Sequence, residues 1–227
     1  MVKKRRRKGQ PIKAFLAVSF VLGVLLGAVL TSIWLQNPAI ELSPGEVYTR
    51  SITIVGVDKE GNGHLATLTV ELRAGSGHIG FAVPPYESED TQRTAVVARS
   101  AAESAAGYSF DGVDILISVE DLAPDTTLTG PSASAPISLL ILATVRASEN
   151  KAPNLVREDA VVSASINSIG RLEPVGQIEE KYLTVKEADN YSLFIVSKDQ
   201  ADHLADYPGI SVGKAVDLNA LAEMVLW

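Results

Sequence analysis

The chain has 227 residues and a formal net charge of −7, and its 46% hydrophobic and 21% charged residues indicate a globular protein rather than a disordered chain. Cysteine is absent, which excludes disulfides, thiol nucleophiles and cysteine metal sites. The three histidines, His64, His78 and His203, lack the spacing of zinc ligands, so we expect neither a metal nor a cofactor.

Basic residues are concentrated at the N-terminus. Seven of the 20 lysines and arginines precede the first acid, Glu41, so the rest of the chain is strongly acidic. An acidic domain is not expected to bind nucleic acid, because that requires a basic face. The basic cluster directly precedes an apolar run, and residues 1–13 are therefore predicted to be a cytoplasmic tail beside a membrane.

Residues 14–36 form an uncharged and mostly apolar segment. At about 1.5 Å per residue, a helix of this length crosses the roughly 30 Å hydrocarbon core of a membrane. The basic flank predicts a cytoplasmic N-terminus and an extracytoplasmic domain. The alternative is a cleaved signal peptide, which the length of the run and the lack of a small-residue cleavage site disfavour. Gly23 and Gly27 have the spacing of closely packed helices, which is compatible with a homo-oligomer.

A linker rich in turn-forming residues is predicted at residues 37–47, and it leads into a domain at residues 48–227. Alternating apolar residues at 51–57 and 68–72 predict the two strands of a hairpin. The acidic and glycine-rich stretch between them has the composition of a turn. A third, short strand is predicted at residues 80–83.

An alanine-rich helix is predicted at residues 91–106, with Asp90 as its N-cap and Gly107 as its stop. Strict alternation at residues 113–120 predicts a half-buried strand, which we expect to offer an edge to an extended peptide. The later part of the domain is predicted to contain helices at 132–147, 177–188, 199–205 and 218–226, and strands at 161–166, 171–175 and 192–197. Mixed strands and helices without an internal repeat predict an α+β (mixed α/β) fold.

One candidate for chemistry is Ser132, which follows Gly130 and Pro131 and precedes Ala133 at the start of a predicted helix. Free backbone N–H groups at a helix N-terminus can hold an oxyanion, and the helix dipole favours its negative charge. A serine at this place is also a common helix N-cap without any catalytic role. On this feature alone the capping interpretation is favoured.

A second candidate is Lys181, which lies on the apolar stripe of the predicted helix at residues 177–188 together with Ile178, Tyr182 and Val185. A lysine on a stripe that faces the core is unusual. Burial disfavours the charged amine and lowers its pKa, which would suit a general base near neutral pH. The alternative is a lysine that extends its amine to water.

Together the two segments resemble the proteolytic domain of Lon proteases. Gly130-Pro131-Ser132-Ala133 is similar to the family's Gly-Pro-Ser-Ala-Gly, whose serine is the nucleophile. The stretch Pro-Val-Gly-Gln-Ile-Glu-Glu-Lys, which ends at Lys181, is similar to the family's Pro-Ile-Gly-Gly-Leu-Lys-Glu-Lys, whose last lysine is the base.

Further residues extend the resemblance over roughly four-fifths of the chain. Gly170 aligns with the glycine of the family's Arg-Gly, and Ser163 then falls on the threonine of Thr-Gly-Glu, whose hydroxyl helps to position the lysine. Residues 90–95 are similar to the archaeal, membrane-anchored branch of the family, which lacks an ATPase module. The sequence contains no Gly-x-x-x-x-Gly-Lys-Ser/Thr phosphate-binding loop.

The resemblance implies a Lon-like fold and an ATP-independent serine endopeptidase that cleaves unfolded or extended polypeptides. Ser132 and Lys181 would form the catalytic dyad and Ser163 would support the lysine, while Gly130, Pro131 and Ala133 would shape the oxyanion turn. The sequence departs from the family at several positions, which include Thr129, Ser134, Ala164, Ser165 and Gln177. None of these departures removes a member of the dyad. The departures around Ser132 motivate an alternative, namely a catalytically inactive domain of the same fold that binds peptides or acts as a scaffold at the cell envelope.

Overall fold

The computed structural model describes residues 38–82, 89–121, 130–150, 156–204 and 209–227. The predicted tail and the predicted anchor at residues 14–36 lie outside the described residues. Within the described ranges, no helix combines the length and the apolar character that a membrane crossing requires.

A seven-stranded sheet forms the centre of the domain, and β2 is antiparallel to both of its neighbours whereas every other adjacent pair is parallel. The strands are β1 (Val47–Val57), β2 (Gly63–Ala74), β3 (Ile79–Phe81), β4 (Val113–Glu120), β5 (Ala160–Val162), β6 (Ser165–Ile166), β7 (Leu172–Glu173), β8 (Leu193–Ser197) and β9 (Ser211–Ala215). Across the large sheet their order is β3-β4-β2-β1-β5-β8-β9, while β6 and β7 form a separate antiparallel pair. The mixed α/β class predicted from the sequence is confirmed.

Five α-helices accompany these strands in the described part of the chain. They are α1 (Glu89–Ala106), α2 (Ser134–Asn150), α3 (Ile178–Glu187), α4 (Lys198–Ala201) and α5 (Leu218–Val225), and short 3₁₀ turns stand at Pro131–Ala133 and Asp202–Leu204. The helix α2 is buried around nearly its whole circumference, because it lies between the sheet and the helices α1 and α5.

Strand alternation divides the core into two apolar clusters on opposite faces of the sheet. In β1, Ile54 joins the larger cluster with α1, α2 and α5, whereas the adjacent Val55 joins a smaller cluster with α3. The same alternation in β5 sends Val162 to the larger cluster and Val161 to the smaller one. The face to which a side chain points therefore decides which helices it meets.

Most of the predicted elements are confirmed, with shifted boundaries. The helix α1 begins at Glu89, so the predicted N-cap Asp90 lies in its first turn, and Gly107 ends it with a φ of +73°. The strand β9 was not predicted, because Ser211–Ala215 contains a glycine and shows no clean alternation.

The prediction that residues 113–120 offer a free edge is wrong for the middle of β4. The short strand β3 pairs with it in parallel, with Ile79 opposite Ile115 and Phe81 opposite Ile117. On its other side β4 pairs with β2 along its whole length. Alternation reports that one face of a strand is buried, but it carries no information about neighbours in the plane of the sheet.

The contact between the β1–β2 hairpin and α3 leads to a test of packing. A Cβ at Gly63 would lie 1.6 Å from Thr184 Oγ1 and 2.6 Å from Thr184 Cβ. We expect Gly63→Ala to lower the free energy of unfolding by about 1–3 kcal/mol through overpacking, and adding Thr184→Ala should recover part of that loss. Gly56→Ala is the matched control, since a Cβ there meets nothing within 4 Å. Urea unfolding measures all four proteins, and equal stability of the two glycine variants would contradict the packing of α3 described here.

Candidate active site

Ser132 lies in a tight turn that the sequence Gly-Pro prepares. Gly130 adopts a φ of +89°, a conformation that side chains with a Cβ rarely tolerate, and Pro131 opens the 3₁₀ turn because its ring fixes φ near the helical value. Ser132 is half-buried within this turn, and α2 begins two residues later at Ser134. The predicted helix start is therefore a 3₁₀ turn followed by the α-helix.

The turn leaves one backbone donor for a ligand. Pro131 has no N–H group, and the N–H of Ser134 donates to Pro131 O. In a 3₁₀ turn the i to i+3 pattern directs the Ala133 N–H towards the carbonyl of Gly130. Among the described residues no acceptor is recorded for the N–H of Ser132. Gly130, Pro131 and Ala133 thus shape the turn, and Ser132 itself supplies the donor that could face an oxyanion.

Ser134 connects this turn to the segment that follows β5. Its side chain is only 1% exposed, and its Oγ donates to Pro131 O at 2.6 Å while it accepts the N–H of Ile166 at 2.9 Å. One turn further along α2, Ser138 Oγ lies within bonding distance of Ala98 O at 3.0 Å and of Ser134 O at 2.8 Å. The Ser134 hydroxyl therefore ties the Ser132 turn to β6, whereas the Ser138 hydroxyl ties α2 to α1.

Lys181 occupies the buried side of α3, as the sequence predicts. It is 5% exposed, and Ile178, Tyr182 and Val185 form the buried stripe with it, whereas Glu179 faces solvent. Among the described residues no hydrogen bond or ion pair to the Lys181 amine is recorded. A buried lysine without an ion pair is rare in protein cores, because little compensates the charged amine for its lost hydration.

This environment changes the acid–base behaviour of the amine. Desolvation by burial lowers the pKa of Lys181 to about 8, and the neighbouring carboxylate of Glu180 opposes that shift only in part. A pKa near 8 leaves a useful fraction of the amine neutral near neutral pH, which is what a general base requires.

Ser163 lies at the carboxyl end of β5 and is 1% exposed. Its N–H donates to Ile195 O, so the strand pairing continues to this residue, while its Oγ has no hydrogen-bond partner among the described residues. Alternation from Val161 places the Ser163 side chain on the same face of the sheet as α3 and Lys181. An unpaired buried hydroxyl is uncommon and has a free lone pair and proton to offer.

The segments that carry Ser132, Ser163 and Lys181 meet at one end of the sheet, but no hydrogen bond joins these three side chains among the described residues. Ser132 lines a narrow, mainly apolar cleft with Leu68 and Ile117 of the larger cluster. Lys181 lies on α3 beside Ile178 and Tyr182, which belong to the smaller cluster on the opposite face. The N–H of Ile166, three residues after Ser163, donates to Ser134 Oγ just beyond the Ser132 turn. The Ser132 turn therefore lies at the carboxyl end of β5.

The helix that carries Lys181 starts from the same end of the sheet. Its preceding segment is held by Gln200, whose side chain accepts the N–H of Val175 at 2.8 Å and donates to Val175 O. Since Gln200 lies in α4, directly after β8, this segment also lies at the carboxyl ends of the parallel strands. Ligand sites of sheets with parallel strands are characteristically at that end. Sequence reasoning could not identify Gln200, because its role depends on a contact with a residue 25 positions away.

Gln177 holds an unusual backbone conformation just before α3. Its φ of 55° and ψ of 41° are left-handed, and its carbonyl accepts the N–H of Lys181. A glycine would adopt this conformation without strain, whereas another residue loses about 1 kcal/mol or more. The start of the lysine helix is therefore strained where the sequence resembles a family with glycine.

Comparison with known proteins adds no assignment. No family model matches the chain. No curated protein matches it either.

The burial of Lys181 leads to a prediction about stability and pH. Its pKa is about 8 in the folded protein and near 10.5 in the unfolded chain, so between these values the unfolded state binds more protons and stability rises with pH. Below pH 8 the burial of the charged amine costs on the order of 3 kcal/mol. We therefore expect Lys181→Met to raise the free energy of unfolding at pH 7, and the gain should shrink as the pH approaches 10.5.

Urea unfolding of both proteins at pH 7 and pH 10 measures this difference. Lys186→Met is the control, because Lys186 is exposed on the same helix and should give no such pH-dependent gain. A Lys181→Met protein that is destabilised equally at both pH values would show that the amine is well solvated.

Proposed function

We propose that the protein is a membrane-anchored serine endopeptidase with a Lon-like fold, in which Ser132 is the nucleophile and Lys181 is the general base. The observation that carries the proposal is the buried Lys181 side chain, whose pKa is lowered and whose amine makes no hydrogen bond or ion pair within the described part of the chain. A fold gains no stability from such a group, so its presence favours a chemical role. The sequence around Lys181 resembles the Lon pattern, and this resemblance suggests that the role is that of a general base for a serine nucleophile.

The proposed first half-reaction transfers an acyl group to the serine. Ser132 Oγ bonds to the scissile carbonyl carbon while its proton passes to the neutral Lys181 amine. The carbonyl oxygen becomes an oxyanion that faces the N–H of Ser132. The C–N bond then breaks, and the Lys181 ammonium returns its proton to the leaving amine, which yields an ester of Ser132.

Water completes the reaction by the same route. Its oxygen attacks the ester carbon while one of its protons passes to Lys181. Collapse of the second oxyanion breaks the bond to Ser132 Oγ, which takes the proton from Lys181, and a carboxylic acid is released. Ser163 is proposed to orient the amine, since its Oγ, which is unpaired among the described residues, lies on the same face of the sheet as Lys181.

Because Ser132 and Lys181 lie on opposite faces of the sheet, the Lys181 side chain must pass the carboxyl end of β5 to reach Ser132. At this point Ser163 and Ala164 leave the strand before β6 begins. A flexible lysine chain suits such a path better than a short rigid base would. The proposal therefore sets the reaction at the end of the sheet and not on either of its faces.

The expected substrates are unfolded or extended polypeptides. The sequence has no phosphate-binding loop with which to couple ATP hydrolysis to unfolding. Cleavage should therefore proceed equally with and without ATP and Mg²⁺, and a casein-like substrate measures this directly.

A second candidate is the inactive, peptide-binding or scaffold domain of the same fold. Ser132 lies beside residues of the larger cluster and Lys181 beside residues of the smaller one, and this separation favours the second candidate. The strained Gln177, where the Lon pattern has glycine, favours it too. A probe that labels serine nucleophiles separates the two candidates, because the scaffold would leave Ser132 unlabelled.

The anchor gives a prediction about topology. We propose that residues 14–36 hold the chain in the cell membrane with its basic N-terminus in the cytoplasm and its domain outside. Protease added to intact spheroplasts should then cut the linker at residues 37–47 and release the domain. If the domain stays protected until the membrane is broken, the proposed orientation is wrong.

The dyad gives the prediction that tests the function most strongly. Ser132→Ala and Lys181→Met should each lower peptide cleavage by about 10³-fold or more, and the double variant should be little worse than either, because the pair acts as a unit. Lys181→Arg should also be inactive, since a guanidinium stays charged. Ser163→Ala should lose less, about 10- to 100-fold, as do residues that support a reacting group.

Stability measurements separate these effects from misfolding. Lys181→Met should keep or raise its melting temperature while its activity is lost, and Lys186→Met should keep both. A folded Ser132→Ala protein that cleaves peptides as fast as the natural chain would refute the proposed mechanism.

A further inference from the structure

Ser134 is the residue at which the two halves of the candidate site are joined. Family members have a glycine at this position, so the sequence presents Ser134 only as a departure. In the structure it is 1% exposed and its hydroxyl uses both of its bonding roles. It donates to the carbonyl of Pro131, which precedes Ser132, and it accepts the N–H of Ile166.

These two bonds connect segments that are distant in sequence. Pro131 belongs to the turn that presents Ser132, whereas Ile166 belongs to β6, which begins two residues after Ser163. A glycine at position 134 would leave the N–H of Ile166 without this acceptor and the turn without this tether. The cost of an unmet buried N–H makes the hydroxyl a strong determinant of the spacing between the segments.

We propose that Ser134 is a positioning residue, whose hydroxyl holds the Ser132 turn at a fixed distance from the segment that carries Ser163. The inference rests on the proposed function in so far as Ser132 is the nucleophile. The Ser134 hydroxyl uses both of its hydrogen-bonding roles within the protein, so Ser134 is not expected to be a reacting group. It acts through the Pro131 carbonyl and so fixes the direction in which the Ser132 hydroxyl points.

The same helix provides a matched control. Ser138 is also fully buried, and its Oγ bonds to Ala98 O and Ser134 O. Ser138→Ala therefore removes a buried hydroxyl from α2 at a comparable cost in stability, but it removes no side-chain bond to the Ser132 turn or to β6. Ser134→Thr is the conservative variant, because a threonine hydroxyl in a helix also bonds to the carbonyl three residues earlier.

The first arm of the experiment measures the coupling itself and needs no enzymatic activity. Hydrogen exchange of the full chain in mild detergent is followed by mass spectrometry on the peptide that contains Ile166. We expect Ser134→Ala to speed exchange there by about fivefold, through loss of the acceptor. Ser138→Ala and Ser134→Thr should leave it near the value of the natural chain. Unchanged exchange in Ser134→Ala would overturn the inference.

The second arm measures the reactivity of Ser132 towards a fluorophosphonate. An O–P bond forms with Ser132 Oγ as the P–F bond breaks and fluoride leaves, and the hydroxyl proton passes to Lys181. Misplacement of a reacting group by a fraction of an ångström should slow labelling by about 10- to 100-fold in Ser134→Ala. The pH midpoint of labelling should stay in place, because Lys181 is untouched, and Ser138→Ala should label like the natural chain.

The outcomes separate the two proposals. Labelling of Ser134→Ala at the natural rate, with the natural chain reactive, would overturn the positioning role and leave the dyad intact. A natural chain that is not labelled at Ser132 would refute the proposed function, and the positioning role would fall with it. Slow labelling of Ser134→Ala with restored labelling in Ser134→Thr supports the inference.

Discussion

The cost of taking an ammonium group out of water governs the candidate site. Lys181 lies among Ile178, Tyr182 and Val185 on the buried side of α3, and burial lowers the pKa of its amine to about 8. A charged amine in this place destabilises the fold, while a neutral one is a base. The apolar packing of α3 against the sheet therefore sets both the stability and the proposed chemistry of the site.

The remaining parts of the site depend on where parallel strands end. Gln200 fixes the segment before α3, and Ser134 fixes the Ser132 turn against β6, so both elements are anchored at the carboxyl end of β5 and β8. Ser163 follows β5 at this end, and its hydroxyl has no hydrogen-bond partner in the part of the chain that the structure describes. The tethers are backbone hydrogen bonds to side chains, which hold spacing more rigidly than apolar contacts would. The hydrogen bonds of Gln200 to Val175 and of Ser134 to Ile166 thus hold the segments that carry the two residues of the proposed dyad.

Local patterns in the sequence predicted most of the strands and helices, but they could not predict contacts between residues that are far apart in the sequence. Alternation identified both strands of the hairpin and the bounds of β4, and the helical stripe placed Lys181 on the buried side of α3. The pairing of β3 with β4 could not be predicted, because nothing in residues 113–120 encodes a neighbour in the plane of the sheet. The role of Ser134 escaped for the same reason, since its partner Ile166 is 32 positions away.

The central claim is that Ser132 and Lys181 react as a pair, and one distance tests it most directly. A crystal structure of the full chain with a peptide boronate should show boron bonded to Ser132 Oγ, with Lys181 Nζ about 3 Å from that oxygen. The lysine would then have crossed the end of β5 from its own face of the sheet. A boronate bound elsewhere, or a Lys181 amine that stays beyond the reach of one bridging water, would contradict the account.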